Sequence, residues 1–249
     1  MSQQYLSNMF SYISIGFKYV WLIHTSTYTY ILYKYWFKLL KMNDSDIPKI
    51  IYQMLKRDAD NNTTYGGDNW AWQIKSILES NGLSFLWLNQ NCLDCSFNLI
   101  KQRILDVYKQ TWYSEINNSS RLVSYCRFKH SFEQEKYLNV ITEQKFRIAL
   151  CKFRSSAHNL AIERGRHSNV QKEDRKCIFC NSGAIENEYH FLLVCSKFDD
   201  LRKKYFSKFY CHWPTLNKFD MLMSCDSKKV ILNLSKYIFY AEKRRSTEN

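Results

Sequence analysis

Three cysteines and one histidine lie close together in the C-terminal third of the chain. Two residues separate Cys177 from Cys180, and four separate His190 from Cys195. Three thiolates and one imidazole complete the tetrahedral coordination of a structural zinc ion, with no position left for water. The alternative is a group of buried thiols beside a surface histidine, but two half-sites at this spacing favour metal. The sequence therefore predicts one structural Zn²⁺ ion.

The composition favours a helical intracellular protein with a polyanionic partner. The chain of 249 residues contains 6 Gly and 2 Pro, too few for a fold with many β-turns. Its formal net charge of +13 indicates nucleic acid as a partner before a membrane. Nine cysteines, without a recognisable signal peptide, fit a reducing compartment better than disulfides. We therefore expect a nuclear or cytoplasmic protein for which membrane association is disfavoured.

Apolar spacing predicts a mainly α protein: a helical body, then a small Cys3His zinc module and C-terminal helices. Helical faces are clearest at residues 47–55, 70–78, 97–112 and 146–157, and further helices are expected at 201–209, 216–223 and 230–241. The basic run at the end of the last helix, Lys243 to Arg245, is expected to be solvated. Asp199 and Asp200 suit the N-terminus of the helix that follows them.

Three segments are expected along the chain. Residues 1–42 are an aromatic-rich N-terminal segment, 43–170 a helical body, and 171–249 a zinc-knuckle module with C-terminal helices. For residues 1–42 three interpretations stand: a pair of packed helices, a membrane-associated segment, or surface once covered by missing upstream sequence. A second Cys-x-x-Cys motif, at Cys92 and Cys95, is interpreted as an ordinary loop, because nothing in the sequence places other ligands beside it.

Basic residues flank the predicted helix that precedes the zinc module. Thr142 is expected to cap this helix, and the connector that follows contains Gly165, which could adopt a positive φ. Cations spaced along a helix and connector can follow a phosphate backbone. The predicted nucleic-acid-binding residues are Lys145, Arg147, Lys152, Arg154, Arg164, Arg166, Arg175 and Lys176. Phe179 and Tyr189 could stack on unpaired bases or cover the zinc ion.

Several stretches resemble the C-terminal region of LINE-type (non-LTR) retrotransposon polyproteins. The specific part comprises residues 152–166 (KFRSSAHNLAIERGR), 175–180 (RKCIFC) and 186–195 (ENEYHFLLVC); the looser part comprises 70–78 (WAWQIKSIL), 99–103 (LIKQR) and 131–138 (SFEQEKYL). The likeness covers roughly residues 33–245. It implies a Cys-Cys-His-Cys site at Cys177, Cys180, His190 and Cys195, in a region that helps to hold template RNA or target DNA.

The catalytic residues of such polyproteins are not recognisable in this chain. Their polymerase requires an aspartate pair on a tight turn. The one Asp-Asp pair, Asp199-Asp200, directly follows Phe198, lies just past a zinc ligand and suits a helix cap. The resemblance therefore implies a non-catalytic, zinc-stabilised fragment that binds RNA or single-stranded DNA. One alternative is a zinc-stabilised module that docks a reverse transcriptase encoded elsewhere. A zinc hydrolase with Glu188 as general base is disfavoured, because the four ligands close the site.

Overall fold

The computed structural model describes residues 31–61, 69–90 and 95–247, and this part of the chain is mainly α-helical. Within these ranges there is no β-strand, and the only isolated bridge is an antiparallel one between Lys176 and Ile185. The predicted fold class is therefore confirmed. No helix in the described ranges combines the length and apolar character needed to cross a bilayer. Cys92 and residues 1–30 lie outside the described ranges, and the predictions made for them stay predictions.

The described residues form two compact units, 31–113 and 114–247. The first contains α1 (residues 31–40), α2 (Ile47–Asp60), α3 (Trp70–Ser80), α4 (Ser84–Asn89) and the start of α5 (Cys95–Asn118). The second contains the end of α5 and then α6 (Val123–Phe128), α7 (Tyr137–Val140), α8 (Gln144–Arg154), α9 (Ala161–His167), α10 (Asp199–Tyr205), α11 (Lys208–Cys211), α12 (Leu216–Met223) and α13 (Lys228–Thr247).

The core of the first unit is rich in aromatic side chains. Trp36 of α1 is fully buried and donates a hydrogen bond from Nε1 to the hydroxyl of Tyr52 on α2, at 2.8 Å. Trp87 stacks on Trp36 with ring centroids 6.3 Å apart. Residues 31–40 are thus a helix packed into a core, which agrees with the packed-helix interpretation over these residues. Gly82 follows the end of α3 and has a φ of +69°, which is common for a glycine just past a helix.

One face of α2 remains in solvent although it is apolar. Ile47, Ile51 and Met54 are 71%, 51% and 61% exposed, whereas Tyr52 and Ala59 on the other side of the helix are buried. The helix therefore presents an apolar stripe to solvent beside the face that it packs on the core. Apolar spacing alone predicts the helix and does not distinguish these two faces.

In the second unit, α8 packs along α13. The predicted apolar face of α8 is buried as expected, at Phe146, Ala149, Leu150 and Phe153. Across from it, α13 buries a matching set of residues: Ile231, Leu234, Tyr237, Ile238 and Ala241. Because each helix covers the apolar face of the other, they belong to one compact unit. The boundary expected at residue 170 does not separate two compact units, and the observed division falls inside α5.

The predicted connector between α8 and the zinc module is a helix, α9. Its Gly165 does not have a positive φ. A Cβ atom at this position would lie 2.5 Å from Cγ of Arg175, so glycine is required for close packing and not for backbone conformation. Helix α8 itself begins after Glu143 rather than at Thr142. Helix α8 also ends at Arg154, before residue 157 of its predicted apolar face. Local spacing does not reveal the close approach of Arg175 to Gly165.

Candidate metal centre and the basic surface around it

The four predicted ligands lie together in the second unit. Their ligand atoms all lie within 4.8 Å of one another. Sγ of Cys177 is 3.9 Å from Sγ of Cys195, and Sγ of Cys180 is 3.4 Å from Nε2 of His190. Two thiolates bound to tetrahedral zinc at about 2.3 Å lie about 3.8 Å apart, so this spacing suits zinc. Cys177, Cys180, His190 and Cys195 can therefore hold a metal ion.

A tight turn places the first two ligands. The backbone N–H of Cys177 donates to the carbonyl of Ala184 at 2.9 Å, which pairs the two arms of the turn beside the Lys176–Ile185 bridge. Gly183 turns the chain at a φ of +65°, a conformation that glycine adopts without steric cost. Cys177 and Cys180 consequently face the same point from one loop.

A π-helical turn, His190–Val194, places the other two ligands. The amide of Cys195 donates to the carbonyl of His190 at 2.8 Å, a bond across five residues. The side chain of Asn187 accepts from the amide of His190 and fixes the start of this turn. Phe191 and Leu192 of this turn are buried. The wider turn lets residues five apart converge on one ion.

One of the two facing thiols, Cys177, is shifted towards the thiolate form. A hydrogen bond between the two thiols lowers the pKa of Cys177 and raises that of Cys195. Thiolate is the form that binds metal, and zinc displaces the remaining thiol protons when it binds. All four positions of a tetrahedral ion would come from the protein, so a bound zinc ion would serve as a structural cross-link between the two turns.

A buried carboxylate joins this module to α9 and α13. Glu186 is 1% exposed and accepts hydrogen bonds from Nε and Nη2 of Arg245, at 2.8 and 2.9 Å. It also accepts from the backbone amide of Ala161, at the start of α9. The guanidinium of Arg245 lies 4.9 Å from the ring centroid of Phe179 in the first turn. Arg245 is therefore buried, and the expectation that the end of α13 is solvated is wrong for this residue.

A second buried carboxylate, Glu188, is engaged by His158. His158 Nε2 lies 3.1 Å from Oε1 of Glu188, and the hydroxyl of Ser156 donates to the same oxygen. Burial alone would raise the pKa of Glu188, but its hydrogen bond and electrostatic interaction with His158 hold the pKa below its usual value. At 5% exposure, Glu188 has its carboxylate in an internal pair and not at an open metal position. This arrangement gives no support to a hydrolytic base.

The eight predicted nucleic-acid-binding cations fall into two groups. Arg154, Arg166 and Arg175 have partners inside the protein. Arg154 is 8% exposed and binds Glu135 and the carbonyl of Met223. Its burial contradicts the expectation that it faces solvent. On a helical wheel it flanks the apolar stripe, but Glu135 and the C-terminal end of α12 cover it.

The other two arginines bind acceptors within α9 and in the segment around it. Arg166 donates to Glu163 through Nε and Nη2, at 3.0 and 2.8 Å. Arg175 donates to the carbonyl oxygens of Ile162 and Val170 and packs against Gly165. These guanidinium groups already have carboxylate or carbonyl acceptors, so we exclude them from the proposed binding surface.

The remaining five cations keep accessible side chains: Lys145, Arg147, Lys152, Arg164 and Lys176. Lys145 lies 4.8 Å from the ring centroid of Phe146 and pairs with exposed Glu143 at 3.2 Å. Within the described residues, no side-chain hydrogen bond or ion pair engages Arg147, Arg164 or Lys176. These groups lie on α8, on α9 and at the first metal ligand.

The two aromatic residues of the module differ in their surroundings. The ring of Phe179 meets Arg245, as described above, and therefore helps to cover the module. Tyr189 is half-buried; its hydroxyl donates to the carbonyl of Pro214 at 2.9 Å, and its ring packs edge-on against Phe219. Both are held by internal contacts, which favours the covering role over base stacking.

The aspartate pair acts at a helix start. Asp199 pairs with Arg202, and Asp200 accepts two hydrogen bonds at 2.7 Å from Arg244 of α13. Both lie in the first turn of α10, where carboxylates stabilise the positive end of the helix dipole. This geometry accords with the predicted helix-terminal position.

Comparison of the chain with protein-family models, with curated proteins and with solved structures finds no match.

Proposed function

We propose that this protein is a non-catalytic, zinc-stabilised nucleic-acid-binding fragment that holds RNA or single-stranded DNA. The proposal joins the closed Cys3His set, the excess of positive charge and the resemblance to the C-terminal region of LINE-type polyproteins. A structural ion would organise the fold, so binding would depend on the surface around it. Consistent with a non-catalytic role, primer extension on an RNA template should stay at the level of a control without protein.

The observation that carries this proposal is the group of accessible cations on α8, on α9 and at the first metal ligand. Arg147, Arg164 and Lys176 have no acidic partner within the described chain, and Lys145 and Lys152 are also exposed. A protein that neutralises phosphates releases counterions, so affinity falls with salt. Five phosphate contacts on a single strand predict a slope of log affinity against log salt of about −3.5, at about −0.7 per contact.

Fluorescence anisotropy with a labelled single-stranded oligonucleotide at several salt concentrations tests the proposal. Replacing Arg147, Lys152, Arg164 and Lys176 together with Gln should weaken binding and move the slope to about −0.7, because one contact remains. Zinc content should not change, since these side chains do not bind the ion.

A matched control removes the same charge from the other unit. Lys34, Lys38, Lys101 and Lys109 are exposed there, and their replacement with Gln alters net charge equally. The control variant should keep most of the affinity and slope of the wild type. Equal losses in both variants would show that overall charge, and not this surface, governs binding, and the proposal would fail.

The protein-interaction alternative has one observation in its favour, the exposed apolar stripe of α2. Ile47, Ile50, Ile51 and Met54 are each more than 40% exposed. An apolar stripe of this kind suits a protein partner, such as a reverse transcriptase encoded elsewhere. Binding through it would depend weakly on salt, so the slope of the titration separates the two functions.

A further inference from the structure

Trp213 is the most exposed tryptophan of the described residues and has an unusual backbone conformation. Its side chain is 76% exposed, and its φ is +49°. For a bulky residue, the left-handed region is strained unless the surroundings impose it. Burial of the indole does not offset this strain, since most of the ring lies in solvent. The ring meets that of His212 edge-on, with centroids 5.4 Å apart.

Hydrogen bonds hold the backbone on both sides of Trp213. Nζ of Lys218 donates to the carbonyl of His212, and the hydroxyl of Tyr189 donates to the carbonyl of Pro214. Tyr189 directly precedes the metal ligand His190. Tyr189 thus bonds the turn that contains Trp213 to the residue before a metal ligand. The side chains of Tyr189 and Lys218 together fix the backbone on either side of Trp213.

The surroundings of Trp213 are aromatic and basic. Phe209 is 51% exposed, and Nζ of Lys218 lies 4.7 Å from its ring centroid. Residues 203–218 contain four lysines and no aspartate or glutamate. A partner that fits this surface must present flat apolar groups next to negative charge. Unpaired bases on a phosphate backbone meet both requirements.

We propose that Trp213 and Phe209 form a stacking platform for unpaired bases of single-stranded nucleic acid, with the lysines of residues 203–218 supplying a positive potential rather than direct phosphate contacts. This inference rests on the proposed function and adds a second contact region, on α11 and the turn before α12. The cations near the metal centre would follow the backbone, and the platform would bind bases with little preference for sequence.

An anionic membrane is the main competing partner for an exposed tryptophan. Insertion of this surface would carry the ammonium of Lys218, which lies over Phe209, towards hydrocarbon, where charge is costly. Beside a nucleotide, the same ammonium stays in water and its charge is favourable near the phosphate backbone. The arrangement of cation and ring therefore favours nucleic acid, and vesicle binding becomes an outcome of the test.

The test compares Trp213→Ala with the wild type on an intact oligonucleotide and on one of the same length with abasic sites. Stacking contributes about 1–3 kcal/mol per base, so Trp213→Ala should weaken binding of the intact strand about five- to 150-fold. The salt slope should stay the same, because no phosphate contact is removed. The wild type should prefer the intact strand more strongly than the variant does, and Trp213→Phe should restore much of the affinity.

Trp72→Ala is the matched control, since Trp72 is exposed and lies in the other unit. It should bind both oligonucleotides as the wild type does. If the wild type binds the oligonucleotide with the expected salt slope and Trp213→Ala binds equally well, the platform is refuted and the proposed function stands. If the wild type does not bind any oligonucleotide, both fail. Trp213-dependent binding to phosphatidylserine vesicles, without preference for intact bases, would overturn the platform in favour of a membrane.

Discussion

Replacing Arg245 with Ala removes one partner of a buried ion pair and leaves the carboxylate of Glu186 without its countercharge. Arg245 is 4% exposed and Glu186 1% exposed. Loss of one partner of a buried pair costs about 3–5 kcal/mol, because the remaining charge stays desolvated. Glu186 keeps only its hydrogen bond from the amide of Ala161. We therefore expect the free energy of unfolding to fall by this amount.

The neighbouring arginine provides a control of the same chemistry. Arg244 also donates two hydrogen bonds to one carboxylate, that of Asp200, but their side chains are 31% and 64% exposed. Exposed pairs contribute about 0–1 kcal/mol, so Arg244→Ala should have a small effect. The two variants therefore differ mainly in the burial of the ion pair that is lost.

Urea unfolding of the zinc-loaded chain, followed by circular dichroism, measures both variants. The double variant Glu186→Ala/Arg245→Ala should lose less than the sum of the two single losses, because no unpaired charge remains. Equal destabilisation by Arg245→Ala and Arg244→Ala would refute the reasoning, since burial would then contribute nothing to the difference.

Three further predictions follow from the described contacts. The double variant Cys177→Ser/Cys180→Ser should lower the zinc content, measured by metal analysis, from one ion per chain to none. The control Cys211→Ser should keep its zinc, and an unchanged zinc content in the double variant would contradict the site. Gly165→Ala should destabilise by about 1–3 kcal/mol in urea, since the added Cβ overlaps a packed side chain; wild-type stability would show that the packing relaxes. Burial raises the pKa of Glu242 from 4.5 to about 6, so the folded protein keeps a proton that the unfolded chain releases, and stability should fall as pH rises through this window. Glu242→Gln should therefore reduce the loss of unfolding free energy across this pH window by up to about 2 kcal/mol. A variant with the same pH profile as the wild type would contradict this prediction.

Local spacing predicts the metal ligands and most of the helices, although residues 201–209 belong to two helices, α10 and α11, and not to one. The distances from Cys177 to Cys180 and from His190 to Cys195 are short, so the local backbone alone brings each pair together. The apolar face of α8 is likewise a local property, because residues three and four apart share one side of a helix. These features could be predicted without knowledge of the packing of distant segments.

The role of each cation could not be predicted in the same way. A helical wheel shows that Arg154 lies beside the apolar stripe, but its acceptor at Met223 is 69 residues further along the chain. The burial of Arg245 depends on Glu186, 59 residues earlier. A buried ion pair between distant segments has no signature in local spacing or charge. Sequence therefore identifies basic residues and does not separate those that bind inside the protein from those that remain exposed.

The long separation between Glu186 and Arg245 has a consequence for the order of events during protein synthesis. All four metal ligands are complete once Cys195 has been made, but Arg245 is added fifty positions later. At roughly 5–20 residues per second, this interval lasts about 3–10 s. Tyr237, whose hydroxyl binds the carbonyl of Phe191, is also made during this interval. The thiols of the nascent knuckle therefore exist for seconds before α13 can pack against Glu186 and Phe191, and early capture of zinc would protect them from oxidation.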